Sequence, residues 1–232
     1  MTESVAKTAD KKVDLKSTAS NLWNATRGIF TKPITTLNER LSEYTNIKNA
    51  GILTVVVSVV AVLVALISSM ISAVHTKSCS LWTGQCTTRW DFAGLGNINY
   101  FQTIFANLLI YIATIAAVAG IFFGISRIFK QTKTNYCRMA AVTAFALLPN
   151  LAAMFIASLI GIIDPTMQIV ISMAGGVYTL FVFYEGINAE VALTGDKKVY
   201  YNFASALAFI VVCYILVRIF FGSILTNLVG IF

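Results

Sequence analysis

The chain has 232 residues, of which 57% are hydrophobic and 12% charged, about half the charge of an ordinary globular domain and too little to coat a soluble surface. The apolar residues gather into blocks about as long as the roughly 20 residues that cross a bilayer, which specifies an all-α membrane protein with lipid as its solvent. A net charge of +7 raises nucleic acid as a partner, but the basic residues do not interleave with aromatics on a soluble face, so no nucleic acid is expected.

Residues 1–49 hold 13 of the 27 charged residues and read as a cytoplasmic polar tail; residues 50–232 read as the transmembrane domain. The stretch Met1 to Lys16 has too few large apolar groups to order itself. It also lacks the apolar h-region of a secretory signal, so the first span is expected to direct insertion. From Leu15, the residues Leu15, Ala19, Leu22, Trp23 and Phe30 fall near one helical face, with Arg27 and Lys32 placed for anionic headgroups. This pattern predicts a short amphipathic helix at the interface, anchored by Trp23, Phe30 and Pro33. Pro33 interrupts it, and Thr36 with Glu39 three residues on has the form of a capping box that opens a second short helix through Leu41 and Tyr44.

Hydropathy then predicts a bundle of about five transmembrane helices, at about 51–74, 104–129, 139–163, 167–186 and 203–232. The fourth is shorter and carries Gly175 and Gly176; the last is interrupted by Arg218. Basic residues beside the spans set the orientation. Eight lie in the tail and four, Arg127, Lys130, Lys133 and Arg138, lie between the second and third spans, against Lys77 and Arg89 in the first loop. The N-terminus is therefore expected inside and the C-terminus outside. Cys79 and Cys86 fall in the first loop, on the outside, where disulfides persist. Their spacing permits a small closed loop, with two free thiols as the alternative, and no His or carboxylate cluster accompanies them to make a metal site. Cys137 and Cys213 should stay reduced.

Small residues recur at four-residue steps in two spans, as Ala116, Gly120 and Gly124 and again as Ala153, Ala157 and Gly161. That spacing lets helix backbones approach closely in lipid, either within this chain or against a partner protein. Pro149 should kink the third span, with Asn150 beside it to satisfy a freed carbonyl. Asn107 and Thr114 read as interhelical hydrogen bonders. Arg218 is costly in a spanning helix and either pairs with Asp164 at the outer turn or snorkels to the headgroups. Glu185 and Glu190 read as a solvated helix end, and His75 has neither triad partners nor a zinc motif. No catalytic residue and no cofactor or metal site is expected, and no Gly-rich phosphate loop is present to power transport.

From Tyr136 onward the order of features resembles the Yip1 domain family. A basic segment is followed by Ala140 to Leu148 leading into Pro149 in mid-helix, then by Val177-Tyr178-Thr179-Leu180-Phe181-Val182-Phe183-Tyr184-Glu185-Gly186 and a last helix after a short polar loop. The Lys32-Pro33 element ahead of the first span resembles bacterial members, and the resemblance covers about Thr31 to Arg218. It implies five spans with a cytoplasmic N-terminus. Eukaryotic Yip1 proteins act in Golgi membrane traffic and bind Rab GTPases through a cytosolic Asp-Leu-Tyr-Gly-Pro-type motif. The tail contains no such motif, which points to a bacterial member in the plasma membrane. Some bacterial Yip1-type proteins are accessory subunits beside ABC exporters built from a permease with its ATPase and a membrane-anchored adaptor, so the resemblance implies such partners in addition to membrane lipids.

The expected function is that of a non-enzymatic scaffold for a transporter complex. The alternatives are a small channel or transporter acting alone, with Asn107, Asn150 and Arg218 lining a polar path, and a trafficking-type protein that binds a GTPase. An enzyme acting on lipid lacks a nucleophile paired with a base.

Overall fold

Each of the four longest described helices starts at a short polar side chain that takes up an otherwise unbonded N–H of the first turn. In the computed structural model, which describes residues 15–79, 86–130, 134–191, 195–208, 211 and 215 (without the side chains of 15–19, 21–22, 76–79 and 86–88), the chain opens with α1 (Leu15–Thr31) and α2 (Pro33–Arg40). A 3-10 turn at Leu41–Tyr44 leads to α3 (Ile47–Val74), which is followed by a hairpin of β1 (His75–Cys79) and β2 (Cys86–Trp90) and a second 3-10 turn at Phe92–Asn97. Then come α4 (Tyr100–Ile128), α5 (Tyr136–Ile160) and α6 (Pro165–Glu190), and a seventh helix, α7, described over 196–208. Asn46, Asn99, Asn135 and Asp164 accept from backbone N–H groups at the starts of α3, α4, α5 and α6.

Among the described residues four helices, α3 to α6, are long and apolar enough to cross a membrane, and the chain is an all-α membrane bundle. The fifth expected span falls on α7, whose residues beyond 208, apart from Val211 and Ile215, lie outside the described residues together with Arg218. Each of the first three spans begins three or four residues earlier than hydropathy predicts, because the cap, and not the first apolar residue, sets the start. The fourth span is longer than expected. It runs 26 residues because it starts at the Asp164 cap and because its polar last turn is folded against α5.

The capping box expected at Thr36 is not formed. Pro33 occupies the first turn of α2, where its missing N–H costs nothing, and Thr36 is buried inside that helix. The backbones of α1 and α2 come together at Gly28, where a Cβ would overlap the Thr36 hydroxyl.

α5 is the central helix, with 67% of its apolar stretch buried against 22–33% for the other three spans. It packs on α3, α4 and α6, and Ser68 of α3 hydrogen-bonds Ser158 of α5 at 2.5 Å. Ala25, Ile29, Leu37 and Leu41 belong to the same core as Leu53, Phe122, Phe145 and Val182, so the described part of the N-terminal segment packs into the bundle. Val59, Leu63, Leu109, Val170 and Val177 stay exposed on the spans, as lipid-facing residues must.

The hairpin between α3 and α4 is a β element that hydropathy does not reveal. Its register runs from His75 opposite Trp90 to Cys79 opposite Cys86, with the His75 and Trp90 rings edge to face at 5.1 Å. The Asp91 N–H donates to the Val74 carbonyl at 2.8 Å, and a Cβ at Gly94 would overlap the Ala73 carbonyl. The C-terminal end of α3 is thus clamped by the chain that follows it.

Candidate functional site

The Lys32-Pro33 element acts through a carbonyl. In an α-helix the carbonyl of residue 29 takes the N–H of residue 33, and Pro33 has none. The Tyr178 hydroxyl, from the middle of α6, donates to the Ile29 carbonyl at 3.0 Å, and its ring stacks on Phe181. Ile29 and Leu37 are buried on the inner side of this hairpin, whereas Trp23 and Phe30 are exposed. Tyr44 packs edge to face on Phe145 with ring centroids 5.5 Å apart. Burial pushes the Tyr44 phenol above its ordinary range, with Glu43 adding to the rise and Arg40 opposing it. Tyr44 therefore stays neutral and serves packing.

Removing the Tyr178 hydroxyl orphans a buried acceptor, at a cost of about 1–3 kcal/mol. Tyr178→Phe is expected to open the hairpin more often and to speed trypsin cleavage at Arg27 in reconstituted vesicles about ten-fold, while the melting of the spans changes little. An unchanged cleavage rate would contradict the latch.

The two small-residue stripes have different fates. Ala153, Ala157 and Gly161 face α6: a Cβ on Gly175 would collide with the Ala153 Cβ, and one on Gly161 would overlap the Gln168 side chain. Three turns further along α6, a Cβ on Gly186 would come within 2.5 Å of Val142 Cγ1. The stripe on α4 is left open. Ala116 is exposed, and among the described residues a Cβ on Gly124 meets nothing within 4 Å and one on Gly120 meets only the Tyr136 ring at 4.0 Å. The Tyr136 hydroxyl donates to the Ala116 carbonyl at 3.2 Å.

The end of α6 is not the solvated terminus that Glu185 and Glu190 suggest. The Glu190 side chain is only 3% exposed; its carboxylate accepts from the Asn135 N–H at 3.0 Å and from Arg138 at 3.3 Å. The Asn135 side chain in turn donates to the Thr45 carbonyl at 2.9 Å. One buried carboxylate therefore ties the start of α5 to the end of α6, and Asn135 ties both to the approach of α3.

The Yip1 domain pattern matches residues 27–219, most of the chain. The chain belongs to the Yip1 domain family. No curated protein and no solved structure matches it. The Yip1 domain match begins at Arg27 and so takes in the tip of the α1–α2 hairpin with Ile29 and Pro33. The aromatic run of the family resemblance reaches the hairpin through Tyr178, whose hydroxyl bonds the Ile29 carbonyl, the one that Pro33 of the other landmark leaves without a helical donor.

Of the other residues singled out from sequence, Pro149 is buried inside an α5 that continues through it. Asn150 does not turn back to a freed carbonyl; its amide donates to Met154 Sδ at 3.6 Å. Asp164 caps α6 through the N–H groups of Thr166 and Met167; Arg218, the ion-pair partner expected for it, lies outside the described residues. Asn107 donates to Thr103 on its own helix. A cavity of about 360 Å³ between α4, α5 and α6 is lined by Thr114, Thr143, Asn150 and Thr179 among apolar residues, and Asn107 is not part of it. The Thr179 hydroxyl, buried there, has no hydrogen-bond partner among the described residues. No three of His, Cys, Asp and Glu gather to hold a metal ion among the described residues.

The side chains of Cys79 and Cys86 lie outside the described residues, but their backbones are directly opposite across the hairpin. Opposed antiparallel positions sit about 4.5–5.5 Å apart between Cα atoms, inside the span a disulfide bridges. Impermeant thiol reagents added from outside are expected to label neither cysteine before reduction and both after it. Labelling without reduction would rule the disulfide out.

Proposed function

We propose that this Yip1 domain protein is a non-enzymatic scaffold of a bacterial plasma membrane, with its N-terminus cytoplasmic and its C-terminus extracytoplasmic. In this reading it assembles with or stabilises a transporter complex, in the first place an ABC permease–ATPase and its membrane-anchored adaptor. The observation that carries it is the contrast between the two stripes. The small residues of α5 are covered by α6, whereas along Ala116, Gly120 and Gly124 only the Tyr136 side chain approaches among the described residues, which leaves room for the close approach of a helix of another protein. The clamped hairpin beyond α3 supplies a second folded surface, on the opposite side of the membrane from the tail. The titratable groups whose contacts are described, Glu190 and Arg138 above all, hold elements together.

Deleting the chain is expected to lower the amount of assembled transporter while ATP hydrolysis by the purified permease–ATPase is unchanged. Normal assembly without the chain would contradict the scaffold reading. A small channel is the second reading, favoured by the Thr179 hydroxyl, which has no partner among the described residues, in the largely apolar cavity beside Asn150. It requires solute flux in liposomes that contain this protein alone.

A further inference from the structure

We infer that α1 and α2 form a re-entrant wedge whose tip, Phe30 to Ile34, sits among the acyl chains of one leaflet instead of lying flat at the headgroups. Depth is the first argument. Tyr178, which holds the Ile29 carbonyl at 3.0 Å, lies seven residues inside Glu185, the first charged residue along α6. At 1.5 Å per residue this is about 10 Å of helix, a third of the roughly 30 Å hydrocarbon core.

Backbone bonding is the second argument. Among acyl chains a carbonyl has no water to turn to, and four carbonyls at the tip, those of Arg27, Gly28, Ile29 and Lys32, are bonded within the protein. The Lys32 N–H donates to the Gly28 carbonyl at 2.7 Å, the Thr36 N–H to the Lys32 carbonyl at 3.0 Å, and the Thr31 hydroxyl to the Arg27 carbonyl at 3.0 Å. The one bond that Pro33 removes is replaced by a side chain from a spanning helix. At a wet surface no such replacement is needed.

The outer face names the occupant. Trp23, Phe30 and Ile34 are 68%, 44% and 48% exposed, and they continue the apolar surface that Val177 and Phe181 of α6 already present to lipid. Lys32 at the tip has a long aliphatic stem along which its ammonium reaches back toward the headgroups. Trp23, six residues before Ile29 on α1, falls near the headgroup level, where indole rings settle.

Depth-dependent quenching tests this on the full chain in vesicles of phosphatidylcholine and phosphatidylglycerol. The sequence has three tryptophans, so Trp82→Phe with Trp90→Phe leaves Trp23 alone, and adding Trp23→Phe with Phe30→Trp moves the probe to the tip. The tip probe is expected to be quenched several-fold more by lipids brominated part-way along the acyl chain than by aqueous acrylamide, and Trp23 most strongly by lipids brominated near the headgroup. Ile34→Trp gives the same readout should Phe30→Trp fail to fold. Stronger quenching of both tip probes by acrylamide would overturn the wedge. Insensitivity of both to either quencher would place the tip against protein and overturn it equally.

Discussion

Replacing Arg138 with alanine is expected to destabilise the bundle by about 3 kcal/mol, the lower end of what removing one partner from a buried ion pair costs. The loss comes from Glu190 more than from Arg138, which is itself 32% exposed and gives up little on its own account. Without the guanidinium, a carboxylate that is 3% exposed keeps the Asn135 N–H and no countercharge. Pairing the change with Glu190→Gln removes the uncompensated charge, so the double variant should recover most of the loss. Thermal unfolding in mild detergent reads both. A single variant as stable as the parent would mean that Glu190 reaches water by another route.

Gly175→Ala is the second large effect, expected to cost about 1–3 kcal/mol by overpacking. The added methyl would collide with the Ala153 Cβ, an atom that has no rotamer to escape into, so α5 and α6 must move apart along their closest contact. The neighbouring residue supplies the control. A Cβ on Gly176 meets nothing within 4 Å among the described residues, and alanine is the better helix former by about 1 kcal/mol in water, so Gly176→Ala should be neutral or slightly stabilising. Ala153→Gly in the Gly175→Ala background should restore the parent's stability. Equal behaviour of the two glycine variants in an unfolding titration would show that the contact is not closely packed.

Much of this architecture is legible in the sequence because lipid imposes long apolar blocks, and a block of that length is a helix. The family is legible for a related reason, since Pro149 in mid-helix and the aromatic run before Gly186 mark packing positions inside those blocks. What hydropathy cannot carry is direction. Glu190 is polar and near a helix end, which in isolation means water; only the arrival of Asn135 and Arg138 from across the loop buries it. The two small-residue stripes are alike in spacing, and their different fates depend on which way each helix faces. A usable signal on the partner helix is Gly175, Thr179, Val182 and Gly186, which fall at four-, three- and four-residue steps and are all buried. Taken one at a time, those glycines suggest only a shorter helix. The hairpin at Cys79 and Cys86 is invisible to hydropathy because it is held by backbone pairing, and the Tyr178 latch because the missing donor and its replacement are far apart in sequence.

The central claim is that this chain holds a membrane complex together, and purification of the tagged protein from its native membrane in mild detergent, with mass spectrometry of what accompanies it, tests that most directly. An ABC permease with its adaptor is expected in fixed ratio, and less of both when Gly124→Leu fills the open stripe of α4. Recovery of the intact, folded chain by itself would contradict it.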